Sequence, residues 1–296
     1  MNICRTKKQL KLAVKQAASQ GKSIGFVPTM GYLHDGHASL LRAAREENDV
    51  VVLSIFVNPM QFGPNEDLER YPRDEERDLA LAASCSTDIV FLPTVEEMYP
   101  SKPLTSITVR SVTERLCGAS RPGHFDGVGL VVSKLFHLVQ PDRAYFGMKD
   151  AQQVAVIEQM VLDLDMNVEI VPCPIVREPD GLALSSRNVY LSPAHRTEAA
   201  VLSQSLGELA QALNVSSSMT GAQCVALITN KIKETSGEID YVELLEYPSL
   251  RTVAMHIPLD RVLSGQRFIV ALAVKFGSTR LIDNALFHVE EVIERV

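Results

Sequence analysis

The chain has 296 residues, a hydrophobic fraction of 46%, a charged fraction of 22% and a formal net charge of -7. Those values describe a folded globular protein with enough chain for about two domains and a core that requires no covalent staples. The acidic balance argues against nucleic acid or an anionic membrane as partner, since both attract basic patches. Through the first half, β-branched runs alternate with helical patterns. Strands are expected at 23–27, stopping at Pro28, and at 50–57, 88–92, 143–146 and 168–171. The run 50–57 is continuously apolar, as a strand covered on both faces should be. Helices are expected at 36–47, 73–83, 127–139 and 150–164. Strands separated by helices imply right-handed crossovers and a parallel sheet, with ligands outside the carboxyl ends of the strands. After Val176 the pattern changes. Ser192-Pro193 is a helix start, and that helix is expected to run to about residue 213. A polar loop at 214–221 leads to a helix at 222–235. Strands at 239–245, 267–275 and 279–282 then follow without long helices between them. The expected fold is therefore α/β: a Rossmann-like parallel-sheet domain over 1–176 and a smaller α+β domain over 177–296. Helical spacing at 286–296 suggests a final helical tail.

The five cysteines, Cys4, Cys85, Cys117, Cys173 and Cys224, are odd in number and form no C-x-x-C pair. That excludes a disulfide framework or a zinc ribbon and points to a reducing cytoplasm. Residues 1–20 carry Lys and Arg without an apolar run, so no secretory signal is expected. The longest nearly apolar stretch, 128–139, contains Lys134 and His137 and is too short to span a bilayer. Neither a G-x-x-x-x-G-K-[ST] loop nor a G-x-G-x-x-G fingerprint occurs.

Four segments carry the chemistry. In 25–41, GFVPTMGYLHDGHASLL, a strand ends at Pro28, and His34-Asp35-Gly36-His37 enters a helix with Asp35 as a candidate N-cap. Unpaired N–H groups at a helix start favour anions, and the two imidazoles can face a phosphate there. The spacing alone also fits a pair of surface or core histidines. It fits zinc less well, since no Cys or third His lies nearby. The second segment, FVNPMQFG at 56–63, follows the buried strand. Its Asn58 and Gln61 offer amide groups, or merely shape the turn around Pro59. The third, YFGMKDAQQ at 145–153, places Lys149 near a helix start, where it suits phosphate or is simply solvated. In the fourth, 174–191, Leu184-Ser185-Ser186-Arg187-Asn188 makes a phosphate clamp or a capped interdomain loop.

The motif P-x-M-G-x-L-H-x-G-H resembles the H-x-G-H motif of the nucleotidyltransferase superfamily. With FVNPMQF, G-x-K-D-x-Q-Q and the L-S-S-R-N loop in order, the chain is similar from about Met1 to Asn284 to the pantothenate synthetase family. Tyr32 within the first motif, Leu184 where Met is common, and the tail after Asn284 depart from its pattern. The resemblance implies ATP-dependent condensation of (R)-pantoate with β-alanine through a pantoyl-adenylate, in a cytoplasmic homodimer that uses ATP with Mg2+ and no organic redox cofactor. It implies catalytic roles for His34, His37, Lys149, Ser185, Ser186 and Arg187. ATP contacts are implied at Met30, Gly31, Tyr32, Leu33, His34, Asp35, Gly36, His37, Gly147, Met148, Lys149, Asp150, Val176, Leu184, Ser185, Ser186 and Arg187. Substrate contacts are implied at Pro28, Met30, Gln61 and Gln153. Arg121 and His124, in GASRPGHFDG at 118–127, are further candidates for triphosphate or substrate, and Asp78 and Asp88 for supporting magnesium. A helix start disfavours an imidazolium at His37 and bound triphosphate favours it; the ligand is expected to prevail. The rival readings are another carboxylate-adenylating or nucleotidyltransferase enzyme of the superfamily, or a non-catalytic nucleotide-binding protein on the same fold.

Overall fold

A computed structural model describes residues 1–64, 66, 68–215, 218–263 and 265–288. In chain order the elements are β1 (Asn2–Cys4), α1 (Lys7–Ala18), β2 (Ile24–Thr29), α2 (Asp35–Glu47), β3 (Val50–Ile55), α3 (Glu75–Ser84), β4 (Ile89–Phe91), α4 (Val95–Met98), α5 (Leu116–Ser120), α6 (His124–Val139), β5 (Arg143–Gly147), α7 (Ala151–Asp163) and β6 (Glu169–Cys173). Then come α8 (Pro193–Glu198), α9 (Val201–Val215), α10 (Gly221–Ile232), β7 (Glu238–Glu246), α11 (Leu259–Val262), β8 (Arg267–Phe276) and β9 (Thr279–His288). Short 3-10 turns lie at Pro59–Gln61, Met148–Asp150 and Ser186–Tyr190.

Two compact units divide the chain. The first comprises Met1–Arg110, Arg121–Met148 and Val156–Val176; the second comprises Ser111–Ser120, Lys149–Ala155 and Arg177–Val296. The second therefore takes two short segments from the first 176 residues. One of them carries Lys149 and Gln153.

The first unit is built on a six-stranded parallel sheet of order β1-β4-β3-β2-β5-β6. Its central strands are apolar on both faces: Val51, Val52 and Leu53 of β3 and Phe26 and Val27 of β2 are fully buried. Leu40, Leu41 and Ala44 of α2 pack with Val27, Val51 and Leu53 on one face. The parallel register puts the ends of β3, β2, β5 and β6 side by side, so the loops that follow them share one edge. The segment 1–20, read above only for its charge, supplies β1 and α1. Thr6 and Gln9 close a reciprocal capping box there.

The second unit carries an antiparallel sheet of order β7-β8-β9. Its core gathers Leu202, Leu206 and Leu209 of α9 and Ile228 and Ile232 of α10 against Val270, Leu272 and Val274 of β8. The helix expected over 192–213 is two helices, α8 and α9. Strand β9 runs through His288, which overturns the helical reading at 286–288; the rest of that tail lies outside the described residues. Asp283 of β9 is 2% exposed and accepts a fork from Arg177, at 2.7 and 2.9 Å. The Arg177 guanidinium also donates to the Gly181 carbonyl at 3.0 Å, which ties the loop entering the Ser185–Arg187 segment to the sheet. Arg177→Met leaves that carboxylate buried without its cation. It should cost about 1.5–3 kcal/mol in equilibrium denaturation, the usual range for a hydrogen bond to a charged group.

Candidate active site

The turn from β2 to α2 carries positive φ at two consecutive residues, of which only Tyr32 is strained. Gly31 has φ +88°, and Tyr32 follows at φ +52°. A Cβ on Gly31 would stand 2.8 Å from Ile55 Cγ2 and 3.0 Å from Asp78 Oδ2, so only glycine fits. Asp78 of α3, 1% exposed, accepts the N–H groups of Tyr32 at 2.8 Å and Leu33 at 2.6 Å. Burial pushes its carboxyl above the ordinary value, and those two N–H bonds pull the other way. The Tyr32 ring lies under the Arg77 guanidinium at 4.9 Å, and Leu33 is buried in the core. Met30, Gly31 and Tyr32 line a cavity of about 250 Å³ together with Phe56, Val57 and Pro93.

The helix that follows is capped by His34. Its Nδ1 accepts the Gly36 N–H at 3.1 Å, while its own N–H donates to Nδ1 of His37 at 3.2 Å. Asp35, expected as the cap, is instead the first helical residue, where its carboxylate complements the helix dipole. An imidazole does here what an Asx side chain does elsewhere. A backbone N–H aimed at Nδ1 requires a lone pair there, so both rings carry their proton on Nε2. The ring centroids lie 4.1 Å apart. Two imidazole N–H donors thus sit at the start of one helix, and neither ring need become an imidazolium to donate.

After β3, the 3-10 turn holds Gln61. The Met60 N–H at 3.3 Å fixes Asn58 Oδ1 as the acceptor, so Asn58 Nδ2 faces the Gly127 carbonyl and Gln61 Oε1, each at 3.1 Å. Tyr99 O–H, at 2.9 Å, then donates to the same Asn58 oxygen. With its oxygen taken, Gln61 turns Nε2 toward Met30 Sδ, 3.3 Å away. A Cβ on Gly127 would meet the Met60 carbonyl at 2.2 Å, so glycine lets α6 approach the turn closely enough for this network. Arg121 and His124, candidates for the triphosphate or substrate, bind Glu66 and the main chain of Gln61. Tyr99 and Glu66 lie outside every motif and escape sequence reasoning.

Gly147 ends β5 with Met148 just after it, and Val176 follows β6, on the same sheet edge as the β2 turn. In the second unit, Asn284 of β9 donates to the Lys149 carbonyl at 3.0 Å. Lys149 Nζ lies 3.9 Å from Asp150. Gln153 is half-buried, and among the described residues its side chain makes no hydrogen bond. The neighbouring Gln152 is committed instead, to the carbonyls of Val112 at 2.9 Å and Arg115 at 2.8 Å. Ser185 Oγ accepts the Arg187 N–H at 3.2 Å and caps the turn that presents Ser186 and Arg187, with Leu184 just before it. That turn also packs against β9, so one strand supports both Lys149 and the serine–arginine segment.

Among the described residues no three Asp, Glu, His or Cys side chains form a metal cage. Asp88 lies at the amino end of β4, paired with Arg45 and accepting the Val51 N–H, on the edge opposite the β2 turn. It is not placed to serve a metal there. Asp78 is held to the β2–α2 turn.

A parallel α/β sheet whose carboxyl edge presents an imidazole pair from the start of a helix defines a nucleotide-using enzyme of the H-x-G-H type. The family model described as pantoate-beta-alanine ligase matches residues 2–286. A pantothenate synthetase of Acetivibrio thermocellus is 54% identical over 290 residues, 98% of this chain and 100% of that protein. One from Bacillus pumilus is 52% identical over 295 residues, 100% of this chain and 99% of that one. The crystal structure of pantothenate synthetase from Thermus thermophilus superposes with a TM-score of 0.88 at 44% identity, covering 98% of this chain and 100% of that chain. That of the pantoate-beta-alanine ligase from Francisella tularensis, complexed with beta-gamma ATP and beta-alanine, gives 0.75 at 36% identity, covering 97% of each. The chain belongs to the pantoate-beta-alanine ligase family. No helix among the described residues is long and apolar enough to cross a membrane.

Burial pushes the Tyr99 hydroxyl up from 10.0 to about 12. A raised tyrosine pKa contributes stability in full below 10.0 and loses it as pH rises toward about 12. Tyr99→Phe should therefore show a smaller loss of stability across that interval than the parent chain. Parallel alkaline unfolding curves for the two would contradict the assignment.

Proposed function

We propose that this ligase joins (R)-pantoate to β-alanine in two half-reactions. The pantoate carboxylate attacks the α-phosphorus of MgATP, forming pantoyl-adenylate and releasing pyrophosphate. The β-alanine amine then attacks the acyl carbonyl, the C–O bond to phosphate breaks, and AMP leaves. The observation that carries this reading is the His34–His37 pair at the start of α2, with Nδ1 of each ring facing a backbone N–H and the ring proton therefore on Nε2. No covalent nucleophile is needed. The protein's work is to position the acid and to neutralise charge as the transition state forms.

His34, His37, Lys149, Ser185, Ser186 and Arg187 are assigned to the phosphates of one ATP. Residues 30–37, Gly147, Met148, Asp150, Val176 and Leu184 are assigned to its binding. Pro28, Met30, Gln61 and Gln153 are assigned to pantoate, and Gln61 also to β-alanine. Magnesium suits a triphosphate that already supplies oxygens, and a chain without an acidic cage among its described residues fits an ion held by phosphate and water. Residues 1–176 are read as the domain for nucleotide and pantoate. Residues 177–296 are read as a smaller domain that keeps water from the labile adenylate. A cytoplasmic homodimer completes the reading.

Pyrophosphate release should require pantoate, and AMP release should require β-alanine in addition. His37→Ala should slow single-turnover pyrophosphate release by roughly 10²–10³, the scale of one lost charge-stabilising donor, while its lost place in the α2 cap lowers stability by only about 1 kcal/mol. An undiminished first turnover would refute the role of the imidazole. If residues 179–188 close around the bound intermediate, ATP plus pantoate should protect them from limited proteolysis.

A further inference from the structure

The Gln61 side chain is oriented by Asn58, but its main chain has a second support with no part in the reading above. His124, the first residue of α6, brings Nδ1 to 2.8 Å from the Gln61 carbonyl. A carbonyl only accepts, so the ring proton lies on Nδ1 and Nε2 keeps a lone pair. That lone pair faces Arg121 Nη1 at 3.1 Å. Arg121 then forks onto Glu66, with Nε 2.7 Å from Oε1 and Nη2 on Oε2. The fork leaves the guanidinium 20% and the carboxylate 25% exposed. Burial alone would raise the Glu66 carboxyl, but the fork with Arg121 brings it below its ordinary value. The bonds run Glu66, Arg121, His124, Gln61, with a longer direct contact from Arg121 Nη2 to the Gln61 carbonyl at 3.5 Å. His124 is the mirror of His34 and His37: they accept at Nδ1, and it donates there.

We infer that His124 is a positioning residue for pantoate: it holds the Gln61 main chain in register, with Arg121 and Glu66 fixing its tautomer. The inference rests on the assignment of Gln61 to pantoate and extends it to a residue that need not touch the substrate. A ring that only filled space would be replaced by phenylalanine without consequence. A ring that donates from Nδ1 would be replaced by asparagine, whose amide N–H stands near the same place.

The test is steady-state kinetics on the full chain with ATP and β-alanine saturating. His124→Phe should raise the KM for pantoate about tenfold, the effect of one lost hydrogen bond, with the KM for ATP unchanged. His124→Asn should recover most of that loss. Glu66→Gln, which weakens the fork but leaves the imidazole, should give a smaller rise of the same kind. In a Gln61→Ala background, His124→Phe should add little, because the two act as one unit. If His124→Phe does not fold, His124→Gln takes its place, since its amide sits at the Nε2 position and misses the carbonyl. An unchanged pantoate KM in the His124 variants, beside a raised one in Gln61→Ala, overturns the inference and spares the assignment of Gln61. An unchanged KM in Gln61→Ala itself overturns both.

Discussion

Asp78 places a buried carboxylate under the turn that leaves β2, and takes the N–H groups of Tyr32 and Leu33 with its two oxygens. Those N–H groups belong to a turn in which Tyr32 takes a left-handed conformation, costly for a residue with a Cβ. Burying a carboxylate is costly, and the raised Asp78 carboxyl records that cost. What it secures is the direction in which the chain enters α2. His34 can cap the helix only if the chain arrives extended, as it does at φ -142° and ψ 178°. His37 can receive the His34 N–H only once that cap is in place. The imidazole pair is thus the last member of a sequence that begins with one acid on α3, 45 residues away from Leu33.

The same logic governs the second segment. Two backbone groups, the Met60 N–H and the Gly127 carbonyl, decide which way the Asn58 amide faces, and Asn58 decides for Gln61. A primary amide without such partners would rotate and present either end to a ligand. Here the end it presents is settled before a ligand arrives, and the free-energy cost of ordering it is met in folding. The cysteines take no part: Cys85 and Cys173 lie in the first core and Cys224 in the second, and burial pushes the thiols of Cys173 and Cys224 up to about 11.

Much of the scaffold was legible because its signals are local. The continuous apolar run of β3, the Leu40-Leu41-Ala44 face of α2, and Ser192-Pro193 as a helix start each follow from a few adjacent residues. β1 was missed because three residues at a sheet edge carry almost no pattern. The last strand was read short because Leu286 suggested helical spacing, while the pairing of β9 with β8 carries the extended form on to His288. The sequence points to Asp35 as the helix cap because carboxylates cap more often than imidazoles. The site was legible as far as its motifs reached. Glu66, Asp78 and Tyr99 owe their places to contacts 41 to 55 residues distant, for which a single sequence offers no spacing to read.

Backbone N–H groups hold His34 and His37 with the ring proton on Nε2. Nitrogen-15 NMR of the histidine rings tests it directly. Both residues, assigned through His→Gln variants, should show an unprotonated Nδ1 and a protonated Nε2 in the free protein, and the Nε2 signals should shift on addition of ATP. A proton on Nδ1 of either ring, or Nε2 signals indifferent to the nucleotide, would contradict it.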